Sequence, residues 1–342
     1  NSITMRRPDD FHLHVRDDLM LQIVLPYSAK YRYGLIMPNP RSGRDIITGE
    51  DIRAYREEII AALPHGSTLE PQMTFKIVEG VTTPETVCDA KQAGAIAGKA
   101  YPIGTTTGAS TGIHHFPKLY PVFEEMQSQD IVLCLHGEDP FVPSLQREHE
   151  FLKTLSMLAY AVPKLRIVLE HVSTANGVDL VESLPENVAA TIAIPHLFLT
   201  DDDVAGGKLH PHFFCKPRPK FKADRDRLRS AMMSRNSKFF LGTDSAPHPR
   251  ISKECADGEA GVFSSPVAMS LLAGLVEKYR LQVCLEEFTS KFGREFYHLP
   301  HRDNDEIEIV KKPWRVPQRI GYNVVIPFMA GEMIDWCVRV QT

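Results

Sequence analysis

The 342-residue sequence has no C-x-x-C pair; its six cysteines, Cys88, Cys134, Cys215, Cys255, Cys284 and Cys337, are scattered. That spacing argues against a disulfide framework and for reduced thiols in the cytoplasm. No apolar run approaches the roughly 20 residues that span a bilayer. The opening Asn1-Ser2-Ile3-Thr4-Met5-Arg6-Arg7-Pro8 lacks the apolar core of a signal peptide. A membrane partner is therefore not expected. Excess positive charge is missing as well. Lys plus Arg number 39 against 43 Asp plus Glu, a net charge of −4, which gives no footprint for nucleic acid. No strand is followed by G-x-G-x-x-G, so dinucleotide binding has no motif. Repeats and low-complexity linkers are also lacking, so residues 1–342 are expected to form a single domain. What remains is ordinary: 43% hydrophobic and 24% charged residues, in a chain long enough to bury a large core.

Short apolar, β-branched runs alternate with amphipathic segments. The expected strands are Asp10–His14, Gly34–Met37, Gln72–Ile77, Ala95–Lys99, Ile131–His136, Arg166–His171, Val188–Ile194 and Phe239–Thr243. Expected helices between them are Asp51–Ala62, with Thr48 as cap, and Pro84–Ala93, with Thr83 as cap, Pro84 at the first position and Gly94 past the end. Lys118–Gln129, Gln146–Ala161, Asn176–Ser183 and Ala223–Ser234 continue the series. Eight strands alternating with helices predict an α/β fold, a closed (β/α)8 TIM barrel. An open doubly wound sheet is the structural rival. Helices Val262–Tyr279 and Leu281–Phe296 follow the eighth strand. The tail reads as a C-terminal extension, a hairpin of Asn323–Ile326 and Met333–Val340 about Ala330-Gly331-Glu332.

Barrel enzymes place their chemistry at the carboxyl ends of the strands. There the chain carries His12 and His14, Lys99, His136, His171 and Asp244. In a strand, residues two apart share a face, so His12 and His14 can ligate one metal. Singly each residue has a bland reading: a satisfied core histidine, a snorkelling lysine, a helix cap. Together they suit two divalent ions such as Zn²⁺. An ammonium would be repelled between two cations. A neutral Lys99 amine that adds CO₂ becomes a carbamate, whose two oxygens can bridge them. A hydroxide bridging the pair would be the nucleophile.

Several stretches carry a family resemblance: Arg6–Asp17, Met37-Pro38-Asn39, Lys99-Ala100-Tyr101-Pro102, His136-Gly137-Glu138, Glu170-His171 and Leu241–His248. In this order, over essentially the whole chain, the sequence resembles the amidohydrolase superfamily and, within it, the shorter bacterial type of dihydroorotase, a family of pyrimidine (UMP) synthesis. The resemblance implies reversible hydrolysis of L-dihydroorotate to N-carbamoyl-L-aspartate. It implies two Zn²⁺ per subunit, bridged by N6-carboxylated Lys99 and a hydroxide. His12, His14, Lys99 and Asp244 would hold the more buried ion; Lys99, His136 and His171 would hold the other. Asp244 would also be the catalytic proton carrier. Arg16, Asn39 and His248 would bind the substrate carboxylate, with backbone contacts from Ala260 and Gly261. Thr106 and Thr107, in the Thr105–Gly108 stretch, match a loop that closes over ligand. Lys216 departs from the pattern, standing where the resemblance implies leucine at a position of backbone contact. The N-terminal β-sandwich of longer amidohydrolases has no room before the first strand. Expected partners are a small-molecule substrate and a second copy in a homodimer. The functional rival is another binuclear cyclic amidohydrolase such as a hydantoinase. Arg16 and Asn39 argue against it, because a neutral hydantoin offers no carboxylate. A single-metal deaminase would need no Lys99, and a dead barrel would have lost ligands.

Overall fold

The computed structural model describes residues 1–105, 111–302, 304–322 and 324–339. Eight parallel strands are adjacent in chain order: β2 (Asp10–Leu13), β3 (Tyr33–Ile36), β4 (Glu70–Ile77), β5 (Ala95–Ala100), β6 (Val132–His136), β7 (Ile167–Glu170), β8 (Val188–Ile192) and β9 (Phe239–Leu241). They follow β1 (Ser2–Arg6), which lies outside this sheet. The first and last strands of the sheet meet through a Leu13–Ser245 bridge and the Asp10 carboxylate, which accepts from the Thr243 backbone N–H (2.8 Å) and hydroxyl (2.6 Å). The eight-stranded barrel read from the alternation is thus present.

Strands covered on both faces need near-continuous apolar runs, and here the two faces feed two layers of core. Phe11, Leu35, Ala97, Val132, Cys134, Val168, Ala189 and Phe240 form an inner cluster. Phe292 and Tyr297 join it, the Tyr297 ring stacking on Phe11 at 4.9 Å. Larger aliphatic side chains such as Ile36, Leu133, Leu169 and Ile192 belong to a second cluster shared with helical Ile52, Phe123, Leu155 and Val178. Helix ends follow the local rules. Thr48 and Asp51 form a reciprocal capping box on Gly49–Ala62, and Thr83 with Thr86 caps Pro84–Gln92.

Three expectations are corrected. The helix expected over Val262–Tyr279 begins only at Ala268, because Val262 and Phe263 bond to Ala246 and Phe328, and the Ser265 N–H donates to Ser245 Oγ. The helix expected over Leu281–Phe296 widens into an i→i+5 turn at Glu287–Lys291. Its Thr289 carbonyl accepts instead from the Asp9 N–H at 2.8 Å. The terminal hairpin has a different first arm. Met333–Arg339 (β11) pairs with Glu306–Arg315 (β10), and β10 pairs in turn with β1. Ile309, Ile334 and Trp336 seat this three-stranded sheet on the main core. The lysine-rich run in β10 hid a strand whose Ile307 and Ile309 face inward. Asn323 and Val340 from the expected hairpin lie outside the described residues.

Candidate active site

The strand ends converge. His12 ends up inside β2 and His14 one residue past it, yet their Nε2 atoms stand 3.2 Å apart. Asp244 Oδ1 lies 3.5 Å from His12 Nε2 and 3.2 Å from His14 Nε2. The other ring nitrogen of each histidine shows which way its proton points. His12 Nδ1 faces Glu170 Oε2 at 2.7 Å, and a carboxylate can only accept, so Nδ1 carries the hydrogen. His14 Nδ1 donates likewise to Asn39 Oδ1 at 2.6 Å. Both Nε2 atoms are therefore bare. Two imidazole lone pairs and a carboxylate oxygen, all buried and mutually within 4.8 Å, repel one another unless a cation lies between them.

Lys99, on β5, is fully buried, with Glu170 and Asp244 among its electrostatic neighbours. Its Nζ has no hydrogen-bond partner among the described residues, only the Tyr101 ring at 5.2 Å. Burial holds its amine below the usual lysine range, against the opposing pull of Glu170 and Asp244. The His171 ring lies 5.0 Å from that of His12 and 4.7 Å from that of His136. His171 Nδ1 is buried without a partner among the described residues, and burial holds the ring neutral. His136 Nε2 is held by Glu138 Oε2 at 2.8 Å. All six expected ligands thus gather at one end of the barrel. Three of the residues that shape the end have left-handed backbones: Arg16 (φ 61°), His171 (φ 41°) and Asp244 (φ 46°). Such conformations cost on the order of 1–3 kcal/mol each and cluster at functional sites.

A second cluster adjoins the first. The Arg16 guanidinium is buried, with Nε donating to the Pro247 carbonyl (3.0 Å) and one amino group to the Asn39 carbonyl (3.3 Å). Its other amino group stands 3.0 Å from His248 Nε2. The Tyr55 hydroxyl secures the Arg16 backbone carbonyl at 2.6 Å. Asn39 links the clusters: its amide oxygen is used by His14, so its NH₂ is left to donate. Gly261, at φ 149°, packs under His248, and a Cβ there would lie 2.4 Å from the Ala246 carbonyl oxygen and 2.7 Å from the His248 ring. Ala260 precedes it on the same turn, tied down by Lys253 Nζ on the Glu259 and Gly261 carbonyls (2.8 and 2.6 Å). Lys216 is half-buried, with Glu138 and Arg147 its electrostatic neighbours. Thr106 and Thr107 lie outside the described residues.

Sequence reasoning missed several participants. Glu170 and Glu138 were visible beside His171 and two residues after His136, but nothing in their spacing shows which histidine each one holds. Tyr55 holds Arg16 from 39 residues away, Glu259 meets His248 and Arg41 from 11 and 218 residues away, and Tyr101 acts through ring packing.

No family model matches the sequence. A curated dihydroorotase from Nitrosococcus oceani is 41% identical over 342 residues, covering 98% of each chain. Among solved structures, a dihydroorotase from Campylobacter jejuni superposes with a TM-score of 0.91 at 34% identity, over 99% of this chain and 98% of the other. A Saccharomyces cerevisiae dihydroorotase in complex with 5-fluoroorotic acid gives 0.91 at 32%, with the same coverage. An L-hydantoinase from Arthrobacter aurescens, at 16% identity and TM-score 0.81, shares the fold.

Proposed function

The chain belongs to the dihydroorotase family, a family of cyclic amide hydrolases, and from that premise we propose how its own residues carry out the reversible opening of L-dihydroorotate to N-carbamoyl-L-aspartate. One observation carries the reading. The bare Nε2 atoms of His12 and His14 and the Asp244 carboxylate converge beside a buried, unpartnered Lys99 amine.

That donor set fits two divalent ions. His12, His14 and Asp244 would hold one, and His136 and His171 the other. Lys99 would bridge them as a carbamate, since its partnerless, deprotonation-prone amine is suited to adding CO₂. Zn²⁺, which favours imidazole and carboxylate, would polarise the ring carbonyl and make water nucleophilic at neutral pH.

The chain's own groups do the rest. Arg16 is fixed by two carbonyls and offers a planar fork for the substrate carboxylate, while the Asn39 NH₂ meets its other edge and His248 Nε2, accepting from an Arg16 amino group, holds the fork in place. This places the ring amide over the histidines. Burial pushes the Asp244 carboxylate up, but the surrounding His14, His12 and His196 rings bring it down to about 2, so it is ionised at neutral pH. Its Oδ1 takes the proton of the attacking water and delivers it to the ring nitrogen as the carbon–nitrogen bond breaks. Backbone contact from Ala260 and Gly261, and a closing loop bearing Thr106 and Thr107, complete the pocket in this reading. Lys216 would contribute through its backbone, its side chain drawn toward Glu138. A homodimer in the cytoplasm completes the reading, as the family resemblance implies; the six unpaired cysteines fit a reducing compartment.

Comparing turnover of L-dihydroorotate with that of hydantoin tests the reading. A carboxylate site built by Arg16 predicts strong preference for dihydroorotate. Equal rates would favour a hydantoinase.

A further inference from the structure

Behind His248, away from Arg16, two charged residues from separate loops meet. Glu259 Oε2 lies 2.9 Å from His248 Nδ1 and 2.9 Å from an Arg41 amino group. That Arg41 group is itself 3.3 Å from His248 Nδ1, and its twin donates to Ser252 Oγ at 3.0 Å. Both loops are anchored. The Arg41 N–H donates to Asp17 Oδ1 (2.8 Å), and the Glu259 N–H to the Ser252 carbonyl (2.9 Å). Lys253 Nζ grips the Glu259 carbonyl.

The consequence for His248 follows from donor inventory. A carboxylate only accepts, so His248 Nδ1 donates to Glu259; a guanidinium only donates, so His248 Nε2 faces Arg16 as an acceptor. The ring is thus held at both edges, with Nε2 fixing the Arg16 amino group whose remaining hydrogen is free for a ligand carboxylate. Arg41 and Glu259 remain 34% and 28% exposed, and pairs of that kind add little to stability. What the pair determines is orientation rather than fold.

We propose that Arg41 and Glu259 form a latch that fixes the His248 imidazole against Arg16 and so sets the affinity of the site for the carboxylate of its cyclic substrate. Both are positioning residues. The inference rests on the carboxylate-site reading above. The Glu259 carboxylate is held ionised, near 2, first by the His248 hydrogen bond and then by Arg41, which keeps it an acceptor throughout the neutral range.

The test uses Glu259→Ala, Glu259→Gln, Arg41→Ala and the Arg41→Ala/Glu259→Ala double variant. For each, KM and kcat for dihydroorotate, the Kd of 5-fluoroorotate, zinc content and melting temperature are measured. Glu259→Ala should raise KM and Kd together by about tenfold, the scale of one lost orienting hydrogen bond, with kcat, zinc and melting temperature nearly unchanged. Glu259→Gln keeps an acceptor oxygen and should lose less. Arg41→Ala should raise the same two constants, and the double variant should be no worse than the worse single, because both act on one ring. Unchanged KM and Kd in Glu259→Ala would overturn the latch. So would loss confined to Arg41→Ala, which would make Arg41 a direct ligand contact, or a fall in kcat and zinc together, which would make the pair structural. If the unaltered chain neither turns over dihydroorotate nor binds 5-fluoroorotate, the carboxylate-site reading fails, and the latch with it; failure of the latch alone leaves those values intact.

Discussion

Glu170 is the residue whose alteration probes the metal centre with least disturbance to its ligands. It is fully buried, and its Oε2 accepts from both His12 Nδ1 (2.7 Å) and Thr191 Oγ1 (2.6 Å). That contact decides which nitrogen of His12 is bare. Glu170→Gln preserves size but removes the charge that strengthens the His12 hydrogen bond and the basicity of Nε2. The amide can also turn its NH₂ toward Nδ1, which would move the imidazole proton to Nε2 and block the position where a cation would bind. Loss of such an outer hydrogen bond typically weakens metal binding by about 10- to 100-fold, or roughly 1.4–2.8 kcal/mol. The assay is competition for zinc against a chelator of known affinity, followed by turnover as a function of free zinc. Zinc affinity should fall by that factor, and activity should recover as zinc is raised. Affinity unchanged from the unaltered chain would refute the claim that Glu170 sets the His12 tautomer for a metal.

Arg16→Lys keeps a charge but loses the fork, so kcat/KM for dihydroorotate should drop by about two orders of magnitude, corresponding to about 3 kcal/mol of positioning, while zinc content stays normal; near-normal kcat/KM would remove Arg16 from the carboxylate site. Gly261→Ala forces a Cβ against the Ala246 carbonyl and the His248 ring, so unfolding free energy should fall by about 1–3 kcal/mol and KM should rise; a neutral result in urea titration would mean the turn relaxes freely. Burial holds both His196 and His248 down to about 4, from an ordinary 6.5. The unfolded chain therefore binds more protons as pH falls below 6.5, and stability should be lost between there and about 4, on the order of 3 kcal/mol per ring. Burial also pushes Asp9 and Asp10 up to about 7 and about 6, which shifts stability the other way as pH falls, so the check is the difference in urea midpoint between the unaltered chain and His196→Gln, and a difference that stays constant from pH 7 to pH 4.5 would contradict this.

The barrel was legible because its strands are short apolar runs with clear helix caps between them, and Thr48 and Thr83 cap as their spacing predicted. The six ligand-type residues were legible for a related reason: each interrupts or ends an apolar run where barrel strands open onto the site. The terminal sheet was not, since β10 carries Lys311, Lys312 and Pro313 on its exposed stretch and pairs with β1 some 300 residues away. The partners that orient these histidines, Glu170 for His12 from a strand 158 residues away and Glu259 for His248 from 11 residues on, depend on tertiary contacts that no local pattern encodes.

Zinc per chain in Lys99→Arg addresses the central claim most directly. Arginine keeps a positive charge and comparable length but cannot form a carbamate. If Lys99 bridges two ions, the variant should lose bound zinc and turnover of dihydroorotate together. Two tightly bound ions in Lys99→Arg would contradict the bridge and leave Lys99 as a charged clamp on the substrate.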